Sequence, residues 1–256
     1  MHDFRLGSLV VAVALFVSAT FAWATEIRIL NANALTGAMK ELAADFIKET
    51  GTAVTFVGVS PGEVEQRIKA GELYDLVITA TASAQAFERE SRWIAGSRQK
   101  LARVGIGFAV REGVTVDLST VASTRQALID AKSITYSDSS TGGLSGINAQ
   151  KVLANLGLVD VVRPKTKLSR ALADGQALIA KGDIDIGLFN LSEIPRAPGV
   201  VRAGPVPAAV QVYIDYDSAL PVTNSSPEVA LALLKYFRRP AARATWDKAG
   251  LELAGD

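Results

Sequence analysis

The sequence predicts an α/β fold built as two lobes with mostly parallel sheets. Strand-like runs rich in β-branched residues alternate along the chain with amphipathic helix patterns, which is typical of βαβ units. Two strand-like segments, at 102–110 and 208–220, are unusually long, and we interpret them as two strands that cross between the lobes. Lobe 1 is then discontinuous, formed by 25–105 and 217–256, and lobe 2 is formed by 106–216.

Each element is predicted from its apolar spacing and its boundary residues. Spacings of three and four between Leu35 and Phe46 predict the first helix, which ends at Gly51. Pro61 near the start and Gly71 just past the end delimit the second predicted helix, because proline favours the first turn of a helix and glycine the position after the last. The predicted strands are 26–30, 53–59, 74–80, 102–110, 133–138, 184–190 and 208–220. The other predicted helices are 63–70, 83–91, 121–131, 147–157, 170–183, 227–237 and 240–249, with a loop at 139–146.

Residues 1–24 have the pattern of a secretory signal peptide. A polar start with Arg5 precedes an apolar run from Leu9 to Val17, and Ala22-Trp23-Ala24 forms an A-x-A cleavage site. A membrane anchor is the alternative, but the apolar run is short of the ~20 residues that a span needs. We expect cleavage after Ala24 and a periplasmic protein. The chain has no Cys to carry a lipid anchor.

The composition excludes several classes of active site. There is no Cys, and the single His, His2, lies in the predicted signal peptide. The mature chain therefore lacks the residues for Ser-His-Asp or Cys-His catalysis, ordinary zinc sites, haem ligation through His and iron–sulfur clusters. Lys+Arg 27 nearly balance Asp+Glu 26 and no basic run occurs, so we expect no nucleic-acid partner. No cofactor and no protein-bound metal are expected.

Four strand-to-helix corners consist of small, hydroxylic or glycine residues. They are 33–36 (NALT), 60–62 (SPG), 79–81 (TAT) and 139–146 (SSTGGLSG). In open α/β sheets ligands bind beyond the carboxyl ends of the strands, where helix N-termini present N–H donors and partial positive charge. Helix capping alone would explain any one corner, whereas four together predict a neutral cradle for a small anion.

Arg and Lys are absent from these four corners. A site for a large charged solute often carries a guanidinium for bidentate pairing, so the absence indicates a small anion held by dipoles and hydroxyls. Arg67 and Arg170 are the nearest basic residues in sequence. The expected place for each is a solvated helix face, with a contact to the anion as the alternative.

Two motifs offer an enzymatic alternative. The SRQK stretch at 97–100 has the spacing of Ser-Lys hydrolases without their companion motifs, and Asp183 and Asp185 could form a carboxylate pair. We interpret the first as a chance match and the second as the start of a strand. A nucleophile elbow at Ser145 fails because Ile147 stands where glycine is needed and the mature chain has no His. We therefore expect no enzymatic activity.

Five stretches occur in a familiar order along the whole mature chain. They are IRILNANALTGAMKELAADFIKETGTAVTF, IKAGELYDLVITA, LSGINAQKVLANLG, IDIGLFN and VYIDY. Together they resemble the periplasmic molybdate-binding protein family, substrate-binding components of ABC importers with the type II periplasmic binding fold. The resemblance implies a monomer that captures molybdate, tungstate or a related oxyanion between two hinged lobes and presents it to a permease.

The resemblance also implies a set of ligand-binding residues. Ala34 stands where the family has a Ser, and the preceding Asn33 can supply an amide donor in its place. Because the hydroxyl is missing at Ala34, a small organic anion is the alternative ligand, and an extracytoplasmic sensor is a further alternative function. The remaining family positions fall on Ser60, near Ser145, on Asn190 or the adjacent Phe189, and on Tyr216.

Overall fold

The computed structural model describes residues 26–141, 143–196 and 198–255, and the predicted signal peptide lies outside them. Strands and helices alternate through this part of the chain, as the sequence predicts. The strands are β1 (Glu26–Ala32), β2 (Ala53–Val59), β3 (Leu76–Ala80), β4 (Gln99–Arg111), β5 (Ile134–Ser137), β6 (Thr166–Ser169), β7 (Ile186–Asn190), β8 (Val200–Pro205), β9 (Tyr213–Ala219) and β10 (Leu251–Leu253). The helices are α1 (Thr36–Thr50), α2 (Pro61–Lys69), α3 (Thr81–Arg89), α4 (Val121–Asp130), α5 (Leu144–Asn155), α6 (Val159–Val162), α7 (Leu172–Lys181), α8 (Pro227–Arg238) and α9 (Arg243–Lys248).

The strands form one mixed sheet in the order β2-β1-β3-β9-β4-β7-β5-β6, with β8 and β10 also paired to β4. Parallel pairs lie toward the two ends of this order, where β1 pairs with β2 and β3, and β5 pairs with β6 and β7. The pairs made by β4 and β9 in the middle are antiparallel. The sheet therefore has two parallel ends joined through antiparallel central strands.

β4 changes its partners halfway along its length. Up to Gly105 it pairs with β9, and from Ile106 it pairs with β7. The side chain of Gln211 satisfies the backbone at this change, since its Oε1 accepts from Ile106 N–H and its Nε2 donates to Ile106 O, both at 2.9 Å. Gly105 leaves room for that amide, because a Cβ there would lie 2.8 Å from Gln211 Nε2.

Four hydrophobic clusters of the described residues cover the sheet. Two pack against the half that contains β1–β3, and two against the half that contains β5–β7. The two clusters of the first half contain the large buried side chains Trp246 and Phe87, respectively. The two clusters of the other half contain Phe108 and Phe189, respectively. No helix in the described ranges is both long and apolar enough to cross a membrane.

The structure corrects several predicted boundaries. The long strand predicted at 208–220 is wrong at its start, where Ala208–Val210 is a 3₁₀ turn and β9 begins only at Tyr213. The later start of β9 follows from Gln211, because its side chain, rather than a strand backbone, hydrogen-bonds to the backbone of β4. The sequence analysis missed β6, β8, β10 and α6, whose lengths of three to six residues are too short for a clear periodicity.

Gly146 allows the start of α5 to lie against the end of β5. A Cβ at this position would be 2.0 Å from the carbonyl oxygen of Ser137 and 3.2 Å from the backbone nitrogen of Ser139. Both atoms belong to the backbone and cannot turn away, so a side chain at 146 would force α5 outward. The close approach places Ser145 beside the strand ends.

We expect Gly146→Ala to lower the free energy of unfolding by about 1–3 kcal/mol, the usual cost of overpacking. Gly37→Ala is the matched control, because Gly37 also lies in the first turn of a helix, α1, and has open space around it. The control should be neutral or stabilise by up to about 1 kcal/mol through helix propensity. Urea unfolding followed by circular dichroism measures both, and equal stability of the two variants would contradict the close approach.

Candidate functional site

A cavity of about 240 Å³ lies beyond the carboxyl ends of β1 and β2 on one side and of β5, β6 and β7 on the other. This is the place where open α/β sheets bind ligands. We call it the strand-end cleft. Its polar lining comprises Asn33, Ser60 and Tyr216 from one half of the sheet, and Ser137, Ser145, Arg170, Asn190 and Glu193 from the other.

The cleft brings together most of the residues that the sequence analysis named for the ligand. Asn33, Ser60, Ser145, Asn190 and Tyr216 all line it, although they are spread over the whole chain. Ala34 does not. It is 3% exposed and packs in the hydrophobic cluster beneath α1, so it offers the cleft neither a hydroxyl nor a surface.

Hydrogen bonds from the Asn31 side chain stabilise the corner after β1. This fully buried side chain donates from Nδ2 to the carbonyl of Ala32 at 2.9 Å and to Thr36 Oγ1 at 2.7 Å. The two bonds tie the end of β1 to the first residue of α1. They hold the 3₁₀ turn Asn33–Leu35 between them, so Asn33 is presented to the cleft from a fixed backbone.

Ser60 caps α2 where the helix N-terminus meets the cleft. Its Oγ accepts a hydrogen bond from Glu63 N–H at 3.2 Å, and Pro61 occupies the first helical position. A serine that accepts in a cap still has its own hydroxyl hydrogen to donate. Ser60 can therefore donate to an anion while it caps the helix, and the helix dipole adds partial positive charge there.

Ser145 and Asn190 are linked across the other side of the cleft. Asn190, the last residue of β7, donates its backbone N–H to Ser145 Oγ at 3.2 Å. Both residues are buried, and Asn190 is only 4% exposed. Its side-chain oxygen Oδ1 is buried and has no hydrogen-bond partner in the described part of the chain. A residue in the cleft lining therefore carries a buried acceptor that the described residues leave unpaired.

Tyr216 and Glu193 place a phenol and a carboxylate at the same cleft. Burial raises the pKa of the Tyr216 phenol well above its usual range, and the negative charge of Glu193 raises it further. The phenol is therefore a hydrogen-bond donor at every physiological pH. Gln176 holds the backbone at Glu193 in place, because its Nε2 donates to the backbone carbonyl oxygen of Glu193 at 2.8 Å.

Arg170 supplies the positive charge that the four predicted corners lack. It follows β6 and lines the cleft, rather than lying on a solvated helix face as the sequence analysis expected. Arg170 forms no salt bridge with any residue that the structure describes. Arg67 does lie on a helix, where it pairs with Glu63 at 2.7 Å and Glu72 at 3.2 Å. Of the two basic candidates, only Arg170 lines the cleft, and it is an exposed residue.

Three polar residues of the cleft lining were not among the predicted ligand-binding set. Arg170 follows β6, the strand that the sequence analysis missed, so this corner was not counted with the other four. Glu193 lies in the 3₁₀ segment Leu191–Arg196, and Ser137 ends β5. Identification of β6 between α6 and α7 would have revealed a fifth strand-to-helix corner, with Arg170 in it.

Other sequence candidates lie elsewhere. In the third corner, Thr81 donates to Asp217 Oδ1 at 2.6 Å, and it does not line the cleft. Ser97 of the SRQK stretch is buried, and its Oγ accepts from Leu220 N–H at 3.2 Å. Asp185 accepts from Lys132 N–H at 2.6 Å, at the far end of β7. The described residues contain no group of three or more metal-ligating side chains.

Ser145→Ala should destabilise the unliganded protein by about 1–3 kcal/mol, because it leaves the buried N–H of Asn190 without an acceptor. Ser139→Ala is the control. The Ser139 hydroxyl lies in the preceding loop and makes no hydrogen bond to the described residues, so its loss should change stability by less than about 0.5 kcal/mol. Chemical denaturation compares the two, and a similar loss in both would show that the Ser145–Asn190 bond contributes nothing.

Comparisons with known proteins agree with this fold. The family model described as bacterial extracellular solute-binding protein matches residues 27–252. A protein named aconitate isomerase from a Pseudomonas species is 27% identical over 258 residues, which is 97% of each chain. The molybdate-binding protein ModA of Azotobacter vinelandii is 27% identical over 251 residues, covering 94% of this chain and 95% of its own.

The structure also matches a solved one. The periplasmic molybdate-binding protein of Azotobacter vinelandii superposes with a TM-score of 0.70 at 20% identity, over 90% of this chain and 100% of that one. The expected likeness to molybdate-binding proteins and the two-lobed binding-protein fold class are confirmed. The family model covers nearly all of the described chain, so this protein belongs to the family of bacterial extracellular solute-binding proteins.

Proposed function

We propose that this protein captures a small organic carboxylate in the strand-end cleft, in the periplasm, and presents it to the permease of an ABC importer. The observation that carries the proposal is the position of Arg170, which forms no salt bridge with the described residues, in a cleft lining that also contains neutral donors. A guanidinium pairs with both oxygens of a carboxylate through two parallel N–H···O bonds. Ser60, Ser145 and the N-termini of α2 and α5 supply further donors.

The proposal treats the chain as two lobes, 25–105 with 217–256 and 106–216, that hinge on β4 and β9. The sheet pairing supports this division, because β4 exchanges β9 for β7 between Gly105 and Ile106. Residues from both lobes line the cleft, so closure around a ligand would bury its charge. Electrostatic attraction between the anion and the fixed donors strengthens as water leaves.

Molybdate or tungstate is the second candidate ligand, favoured by the name of the Azotobacter vinelandii relative and by the small-residue corner at 33–36. The chemistry of the cleft favours it less. An oxyanion of this kind has only acceptor oxygens, so its site must offer donors. Ala34 gives no hydroxyl at the position where the family resemblance implies a Ser that holds the oxyanion.

Isothermal titration calorimetry separates these ligands. Trp93 and Trp246 are both buried and donate their indole N–H groups to Ala84 and Phe237, so neither fluorophore lies at the cleft. Heat of binding reports the ligand directly. The panel is molybdate, sulfate and a series of mono-, di- and tricarboxylates. Saturable binding of a carboxylate and none of molybdate is the expected result, and the reverse would make this a molybdate-binding protein.

Arg170→Gln should weaken carboxylate binding by about ten- to a hundredfold, because a charge-assisted hydrogen-bond pair is lost. Arg67→Gln removes the same charge from a helix surface where the guanidinium is already paired with Glu63 and Glu72. We expect that control to change affinity by less than about twofold, since exposed salt bridges contribute little. Equal losses in the two variants would mean that Arg170 acts only through long-range charge.

An isomerase is the second candidate function, favoured by the shared position of Glu193 and Tyr216 and by the name of the Pseudomonas relative. Such an enzyme needs a group that removes a proton from its substrate and a group that returns or stabilises one. The Glu193 carboxylate can accept a proton, and the protonated Tyr216 phenol can donate a hydrogen bond. Both roles require the ligand to reach these groups in the closed cleft.

We expect the protein to bind without chemistry. Incubation of cis- or trans-aconitate with the purified protein, followed by proton NMR, tests this directly. An unchanged isomer ratio is the expected result. Interconversion that Glu193→Gln abolishes, with aconitate affinity retained, would make the chain an enzyme and would assign Glu193 as its base.

A further inference from the structure

We infer that the ligand carries a hydroxyl group as well as a carboxylate, and that this hydroxyl donates to Asn190 Oδ1. This inference rests on the proposed capture of a carboxylate and specifies its chemical class. Asn190 lines the strand-end cleft, is 4% exposed, and has a side-chain oxygen with no partner among the residues that the structure describes. Buried polar atoms in native proteins are rarely left unpaired without a reason.

The backbone of Asn190 is fixed, so its side chain has few alternatives. The residue pairs with Ile106 in the β4–β7 ladder, and its N–H donates to Ser145 Oγ at 3.2 Å. The terminal torsion of an asparagine is broad, so the amide can turn a little toward a ligand while the backbone stays in place. The protein therefore holds Asn190 in the cleft lining, where a small turn of the amide would bring the buried Oδ1 to a ligand.

A carboxylate alone cannot satisfy that acceptor. Ionised carboxylates, like molybdate and sulfate, have oxygens that only accept hydrogen bonds, and they would leave Oδ1 unpaired and facing negative charge. A hydroxyl has a hydrogen to donate. Arg170, which would bind a carboxylate, and Asn190, which would accept a hydrogen bond from a donor, both belong to the proposed lobe 2. Together they fit a small hydroxy acid.

Pairs of acids that differ by one hydroxyl test the inference in the wild-type protein. Malate, as each enantiomer, is compared with succinate, and citrate with propane-1,2,3-tricarboxylate, by calorimetry. We expect the hydroxylated acid of at least one pair to bind about tenfold or more tightly. If no carboxylate binds, the proposed function fails. If carboxylates bind but neither pair shows a preference, or aconitate binds more tightly than citrate, only the hydroxyl inference fails.

Asn190→Leu is the matching variant, because leucine has nearly the shape of asparagine without its polar atoms. It should lower the affinity for the preferred hydroxy acid more than the affinity for its deoxy partner, so that the ratio of the two affinities falls toward one. An equal loss for both acids would show that Asn190 donates its amide N–H to the anion instead. Tighter binding of aspartate than of malate by the wild type would replace the hydroxyl with an ammonium and overturn the assignment.

Should Asn190→Leu fail to fold, Asn190→Ser and the wild-type affinity ratios still decide the question. Serine keeps an acceptor oxygen but withdraws it from the cleft by one bond. A hydroxy-acid preference that falls in Asn190→Ser supports the contact. A preference retained in full would assign the hydroxyl to another residue.

Discussion

The arrangement of this protein depends on the hydrogen bonding of β4, which runs without interruption through both halves of the sheet. Its first half belongs to the ladder with β9 and its second half to the ladder with β7. At the change of partner, the Gln211 side chain satisfies both backbone groups of Ile106. A polar backbone buried between two ladders would otherwise be destabilising, since unpaired N–H and C=O groups are costly.

This central strand determines where the functional groups can meet. On each side of β4, the end of the sheet consists of parallel strands. The carboxyl ends of these strands face a common space. Residues that follow those ends therefore converge, although Asn33 and Tyr216 are far apart in sequence. The cleft inherits the usual polarity of helix N-termini, to which Arg170 adds a full charge.

The hydrogen-bonding character of the cleft is mixed. Ser60 and Ser145 each accept one bond from the backbone and keep a hydrogen for a ligand, while Asn190 Oδ1 can only accept. A site made of donors alone would suit a bare oxyanion. An acceptor, the Glu193 carboxylate and Arg170 in one lining instead support the proposed ligand with both accepting and donating groups.

The fold could be predicted from the sequence where an element is long enough to show a period. α1, β4 and α8 repeat their apolar spacing over several turns or alternations, and a strand-to-helix alternation has few compact solutions. β6 has only four residues and β10 only three, so neither carries a pattern. β9 begins later than predicted because the side-chain amide of Gln211 hydrogen-bonds to β4 in place of strand backbone. No periodicity in the sequence reveals such a contact.

The sequence by itself excluded sites that need Cys or His, because it has no Cys and its lone His lies within the predicted signal, and its small corners predicted a site for an anion. Corner position and family resemblance also indicated five of the polar residues that line the cleft. Only the tertiary structure decided that Ala34 is buried, that Arg170 lines the cleft, and that Asn190 Oδ1 has no partner among the described residues. Burial and partner atoms depend on which distant segments pack together, and that information lies in the three-dimensional register of the sheet rather than in any local pattern.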